Sequence, residues 1–97
     1  MMNPELRAKA RLALHAAQGG KCCYCECLLV LPATGIHKPA KVKDQHPRMA
    51  TFEHLRRRAD GGGNHMDNLA LACRQCNAAR GKESWVEFKT LVQAGAA

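Results

Sequence analysis

The chain has 97 residues, a formal net charge of +7, one Trp, one Tyr, two Phe and six Cys. So short a chain buries a modest core, and much of its 46% hydrophobic content is alanine, so it needs a staple. No stretch approaches the ~20 apolar residues of a membrane span, and Met1-Met2-Asn3-Pro4-Glu5 lacks the apolar run of an export signal. A membrane-spanning chain is not expected, the cysteines are expected to be metal ligands more than disulfides, and a cytoplasmic, intracellular location is expected. The charge points to a polyanionic partner, nucleic acid first, although basic residues also serve simply to solubilise.

In chain order, residues 4 to 18 read as a helix capped by Asn3, begun by Pro4 and ended by Gly19-Gly20. Leu6, Ala10, Ala13, Leu14 and Ala17 form one apolar stripe, with Arg7, Lys9 and Arg11 off it. A packing helix with a solvated basic face is favoured over a helix dedicated to a DNA groove. A cysteine-dense turn spans 22 to 27, and the apolar run Leu28 to Leu31 fits a strand. Pro32 to Pro47 is a basic loop rich in Pro, Lys and His, with no periodicity. Ala50 to Leu55 reads as a second strand, with Thr51 and Phe52 favouring it, and Arg56 to Met66 as a loop around Gly61-Gly62-Gly63. Leu69 to Ala72 fits a strand that pairs back on the first, and Arg74 to about Lys82 a helix. Ser84 with Glu87 matches a capping box for a last helix through about Val92, with Trp85, Phe88 and Leu91 available to the core.

Cys22 and Cys25 are spaced C-x2-C, as are Cys73 and Cys76. Each tight turn can bring two thiolates to one metal, and two such turns fill a tetrahedral site, so structural zinc is preferred to disulfides. Cys23 and Cys27 crowd the first hook, leaving Cys25 with Cys27 or Cys23 with Cys27 as other ligand pairs. The shared spacing favours Cys22 and Cys25, with Cys23 and Cys27 as small, partly buried residues.

Between the hooks stand polar residues that zinc does not require. Glu53-His54-Leu55 is followed by Gly61-Gly62, Asn68-Leu69 and Cys73-Arg74-Gln75-Cys76-Asn77. With Cys22-Cys23-Tyr24-Cys25, this order resembles the HNH endonuclease family over roughly residues 20 to 83. The resemblance implies an α+β fold: a small ββα-metal, treble-clef-like core with structural zinc, flanked by N- and C-terminal helices. Residues 1–97 would then form one domain, with the N-terminal helix at 1–19, the core at 20–83, and the C-terminal helix and tail at 84–97.

What the resemblance implies for activity is hydrolysis of DNA phosphodiester bonds to 5′-phosphate and 3′-hydroxyl products. An imidazole, with an unperturbed pKa of about 6.5, can take the proton of the attacking water near neutral pH, and His54 is the candidate general base. Glu53 and Asn77 offer hard oxygens suited to a catalytic Mg2+ or Mn2+, a second metal distinct from the zinc of Cys22, Cys25, Cys73 and Cys76. Asn68 matches the family's middle asparagine, pinning the loop and orienting the base; alternatively it is a plain turn residue before a strand. Three departures stand out: Glu53 where aspartate is usual, Asn77 in place of a histidine, and Arg57 where a proline often follows the catalytic histidine.

Arg56, Arg57 and Arg58 adjoin this site, and Arg80 and Lys82 lie on or just after the last core helix. They are candidates for phosphate contact or, equally, a solvated charge run. His15, His37, His46 and His65 have no obvious partner. Two other readings account for the cysteines: a non-catalytic zinc module that binds nucleic acid, and a zinc-stapled protein-interaction domain. Neither explains Glu53-His54 with Asn68 and Asn77 in family order. RNA remains an alternative substrate to DNA. No segment decides between monomer and homodimer, or between phage and bacterial settings such as packaging and restriction.

Overall fold

A computed structural model of the chain describes residues 3–31 and 46–95. Among these described residues it is a small α+β fold with a two-stranded antiparallel sheet, three α-helices and a cluster of cysteines. Helix α1 is Pro4–Ala17, strand β1 Ala50–His54, strand β2 Leu69–Cys73, helix α2 Arg74–Arg80 and helix α3 Trp85–Gln93. Most of the basic loop expected from Pro32, His37 included, lies outside the described residues.

Helix α1 starts where the sequence says it should. Asn3 Oδ1 accepts the Leu6 N–H at 2.8 Å, and Pro4 occupies the first turn, where a missing N–H costs nothing. Gly19 and Gly20, at φ +62° and +74°, turn the chain out of the helix through the left-handed region. The apolar stripe is narrower than its periodicity suggests. Only Ala10 and Leu14 are buried, whereas Leu6 is 52% exposed and Ala13 and Ala17 are exposed. Arg11 lies 5.1 Å from the centre of the Phe52 ring, a cation–π contact that ties the basic edge of α1 to β1.

Leu28 to Leu31 is not a strand. Lys21 bridges Leu28 and Val30 bridges Met49, one residue each, with Leu29 turned into the core between the exposed Leu28 and Val30. The sheet is instead β1 against β2, in a register that sets Glu53 opposite Ala70 and His54 opposite Leu69. Because side chains alternate along a strand, Thr51 and Glu53 share one face, and Phe52 and His54 the other. The strand at Leu69 thus pairs with Ala50–His54 and not with the earlier apolar run.

The connection between the strands holds two single turns of 3-10 helix, Arg58–Asp60 and Met66–Asn68. Gly62 is obligatory there: a Cβ would sit 1.9 Å from the Arg56 carbonyl oxygen. Helix α2 follows β2 without a loop, and the Cys73 sulfur caps it by accepting the Cys76 N–H at 3.3 Å. Ser84 Oγ caps α3 from the Glu87 N–H at 3.2 Å. Phe88 carries α3 onto the core, meeting Tyr24 edge-to-face with centroids 4.9 Å apart. Trp85 and Val92 pack beside it, while Leu91, expected to share this role, is 44% exposed.

Candidate active site and metal centre

The two C-x2-C hooks converge. The ligand atoms of Cys22, Cys25, Cys73 and Cys76 all lie within 4.8 Å of one another, a set that could hold a metal ion. Cys25 and Cys73 sulfurs approach to 3.8 Å across 48 positions of sequence. Backbone amides already point at the sulfurs: Cys22 Sγ accepts from Tyr24 at 3.4 Å and from Cys73 at 3.3 Å. The donor set is soft sulfur in a tetrahedral number, the chemistry of zinc. The Cys23 thiol hydrogen bond and these amides hold the Cys22 thiol down to about 4, against the effect of burial. Burial pushes the Cys73 and Cys76 thiols up, so a dication is what would let all of them ionise together. Cys23 and Cys27 lie outside the cluster, partly buried against the core, as small residues would.

Strand β1 delivers Glu53 and His54 to different surroundings. Glu53 is buried, and its Oε1 pairs with Arg80 Nη1 at 2.9 Å. The second carboxylate oxygen, Oε2, is buried with no hydrogen-bond partner among the described residues. An orphaned anionic oxygen in such a place is costly unless a cation completes it. Burial pushes the Glu53 carboxyl up, while Arg80 and Tyr24 act in the opposite direction. Asn77 reaches the same face from α2, its Nδ2 donating to Thr51 Oγ1 at 3.0 Å and to Phe52 O at 3.4 Å. Those bonds turn the nitrogen toward β1 and leave the amide oxygen for another partner. The residues present therefore fit a hard divalent ion.

His54 is half-buried, and its Nε2 lies 2.8 Å from Asn64 Oδ1. Among the described residues the Asn68 side chain has no hydrogen bond to the imidazole. Its Oδ1 accepts the Arg56 N–H at 2.8 Å, and its Nδ2 donates to Arg56 O at 3.1 Å and Gly63 O at 2.8 Å. Both ends of the glycine loop are thus fastened by one side chain.

Arg80 requires a correction. Expected to contact phosphate, it is 3% exposed and aimed inward. Nη1 donates to Glu53 Oε1, to His54 O at 2.8 Å and to Tyr24 OH at 3.2 Å; Nη2 donates to Leu55 O at 3.0 Å, and Nε to Glu83 O at 2.8 Å. A guanidinium 3% exposed and hydrogen-bonded through Nε and both Nη nitrogens is not presented to a partner outside the fold. In the triple-arginine run, Arg57 pairs with Asp60 at 3.0 Å, and Arg56 Nε donates to Asp60 O at 2.7 Å. Arg58 and Lys82 are exposed. His15, His46 and His65 stay away from the cysteine cluster. Sequence reasoning missed Asn64 and Tyr24. Tyr24 hides inside a metal hook and Asn64 inside a glycine-rich loop, where a polar residue needs no special explanation.

Residues 37–83 match the model of a family described as HNH endonuclease. The matched stretch contains Glu53, His54, Asn68, the second cysteine hook and Asn77; the first hook precedes it. The resemblance to the HNH endonuclease family is therefore shown over these residues, and it points to a nuclease or nucleic-acid-related function. No curated protein and no solved structure matches the chain. Among the described residues, no helix is long and apolar enough to cross a membrane.

Proposed function

We propose that the chain is a metal-dependent endonuclease that hydrolyses DNA phosphodiester bonds, leaving 5′-phosphate and 3′-hydroxyl ends. The observation that carries this reading is the buried Glu53 carboxylate, whose Oε2 has no hydrogen-bond partner among the described residues, one position before the half-buried His54 at the end of β1. Buried polar atoms are nearly always hydrogen-bonded, so an oxygen left this way supports a place for a cation. His54 takes the proton of the attacking water. Glu53 and Asn77 hold a divalent ion, Mg2+ or Mn2+, which when bound supplies charge stabilisation at the scissile phosphate and the departing 3′-oxygen. Arg80 holds Glu53 Oε1 and the His54 carbonyl, fixing the end of β1 against α2. Asn68 keeps the glycine loop folded over that strand end.

Zinc on Cys22, Cys25, Cys73 and Cys76 ties the N-terminal hook to the β2–α2 junction and supplies stability the small core lacks. Arg56, Arg57, Arg58 and Lys82 contact phosphates flanking the cut, giving salt-sensitive and largely sequence-independent affinity.

The test is plasmid cleavage with Mg2+ or Mn2+ by the full chain and by His54→Ala. Nicking or linearisation by the native chain and a loss of about a hundredfold or more in the variant support the reading. Equal DNA binding by both with no cutting under either ion would leave a non-catalytic, zinc-stapled nucleic-acid-binding module.

A further inference from the structure

We propose that Asn64 is a positioning residue for His54, its side-chain oxygen deciding which imidazole nitrogen carries the proton. The inference rests on His54 acting as the general base. Asn64 Oδ1 lies 2.8 Å from His54 Nε2, and an amide oxygen can only accept. The facing nitrogen therefore carries the hydrogen. A neutral imidazole has one N–H, so Nδ1 is left as the basic nitrogen. A base held in one tautomer and one ring orientation reacts without first reorganising, which is the service an outer partner gives a catalytic or metal-bound histidine.

The contact is built by the loop. His54 ends β1, and Asn64 lies ten positions later, beyond the three glycines. The backbone on either side of this excursion is tied to a single side chain. Asn68 takes both polar groups of Arg56, just after His54 and Leu55, and the carbonyl of Gly63, just before Asn64. Two backbone bonds reinforce it, Leu55 N–H to Asn68 O at 2.9 Å and Asn68 N–H to His65 O at 2.8 Å. At Gly62 the loop folds so tightly on Arg56 that no side chain fits. The two asparagines thus divide the work expected of one: Asn68, its bonds spent on the backbone, shapes the loop, and Asn64 meets the ring.

An asparagine at this place is also a chemical choice. It selects a tautomer as a carboxylate would, without adding negative charge beside an imidazole that already neighbours Glu53. Asn64→Asp keeps an acceptor oxygen and Asn64→Ala removes it, so the pair separates hydrogen bonding from packing.

Two measurements on the full chain test this. Long-range proton–nitrogen NMR reports the His54 tautomer, with His54→Ala assigning the signals, and Mn2+-supported DNA cleavage gives kcat and KM separately. The native chain should show the Nε2–H form. Asn64→Ala should lose that preference and about tenfold to a hundredfold in kcat with KM unchanged, and Asn64→Asp should recover both the tautomer and most of kcat. An Nδ1–H ring in the native chain overturns the proposal, as does an Asn64→Ala variant with native tautomer and native kcat. If His54→Ala cuts as fast as the native chain, the general-base reading fails. The NMR measurement then still decides whether Asn64 holds the ring.

Discussion

The side-chain amide of Gln18 pairs with both polar groups of the Leu71 backbone, accepting its N–H at 2.8 Å and donating to its carbonyl at 2.9 Å. A residue just past the end of α1 thereby does for β2 what a third strand would do. Leu71 is fully buried, so its amide has no water to fall back on. In Gln18→Ala the Leu71 carbonyl keeps the Cys23 N–H at 3.0 Å, while the Leu71 N–H is orphaned. The expected cost is about 1–3 kcal/mol, read as a lower urea midpoint at unchanged slope. An unchanged midpoint would mean that water replaces the glutamine.

Arg80 differs from Lys82 as a buried structural cation differs from an exposed one. Its partner Glu53 is buried with it, so Arg80→Met strands a carboxylate in the interior, at about 3–5 kcal/mol. Adding Glu53→Gln should recover part of that loss, and a double-mutant cycle by chemical denaturation measures how much. In variants that remain folded, the salt dependence of DNA binding should keep the native slope. Lys82→Ala, on the exposed side, should reduce that slope by about one. A reduced slope for the Arg80 variant would return it to the DNA-contacting set.

Zinc affinity should fall as the solution is acidified. Burial holds the Cys73 and Cys76 thiols protonated above the ordinary thiol range, so at neutral pH zinc must displace both protons. Cys22, held down to about 4, has already lost its own. At least two protons released per ion make the apparent affinity drop on the order of a hundredfold or more per pH unit around neutrality. Competition with a chromophoric chelator between pH 6 and 8 measures it. Cys76→Ser or excess chelator should also unfold the domain, seen as loss of helical circular dichroism.

Gly62 and Gly61 should respond differently to alanine. At Gly62 the new Cβ would lie 1.9 Å from backbone oxygen, which nothing flexible can relieve, so Gly62→Ala should cost about 4 kcal/mol or more or displace the loop. Gly61 has φ +88° and its nearest neighbour at 3.7 Å, so Gly61→Ala should cost only about 1–2 kcal/mol of backbone strain. Thermal unfolding ranks the two, and equal losses would refute the steric account.

Local chemistry was the readable part of this chain. Asn3, Ser84 and the two hooks act over three or four residues, and each forms where its spacing says. The contacts that organise the candidate site span longer distances. Nothing in the spacing of Arg80 distinguishes it from Lys82, yet one is buried against Glu53 and the other is exposed. Periodicity identified the inward face of α1, but only Ala10 and Leu14 on it are buried. Likewise, an apolar run such as Leu28–Leu31 has the composition of a strand whether or not a neighbour runs alongside it. Asn64 was invisible for a further reason: its partner is fixed by the path of a glycine loop, which sequence spacing does not specify.

The approach of Cys25 and Cys73 makes the chain between them a closed ring once a metal is bound. The entropy of closing a flexible ring grows only with the logarithm of its length, about 0.6 kcal/mol for each doubling. Residues added between the first hook and β1 would therefore leave the metal closure nearly as favourable as before. The fold can lengthen or shorten that stretch without re-engineering the cysteine centre.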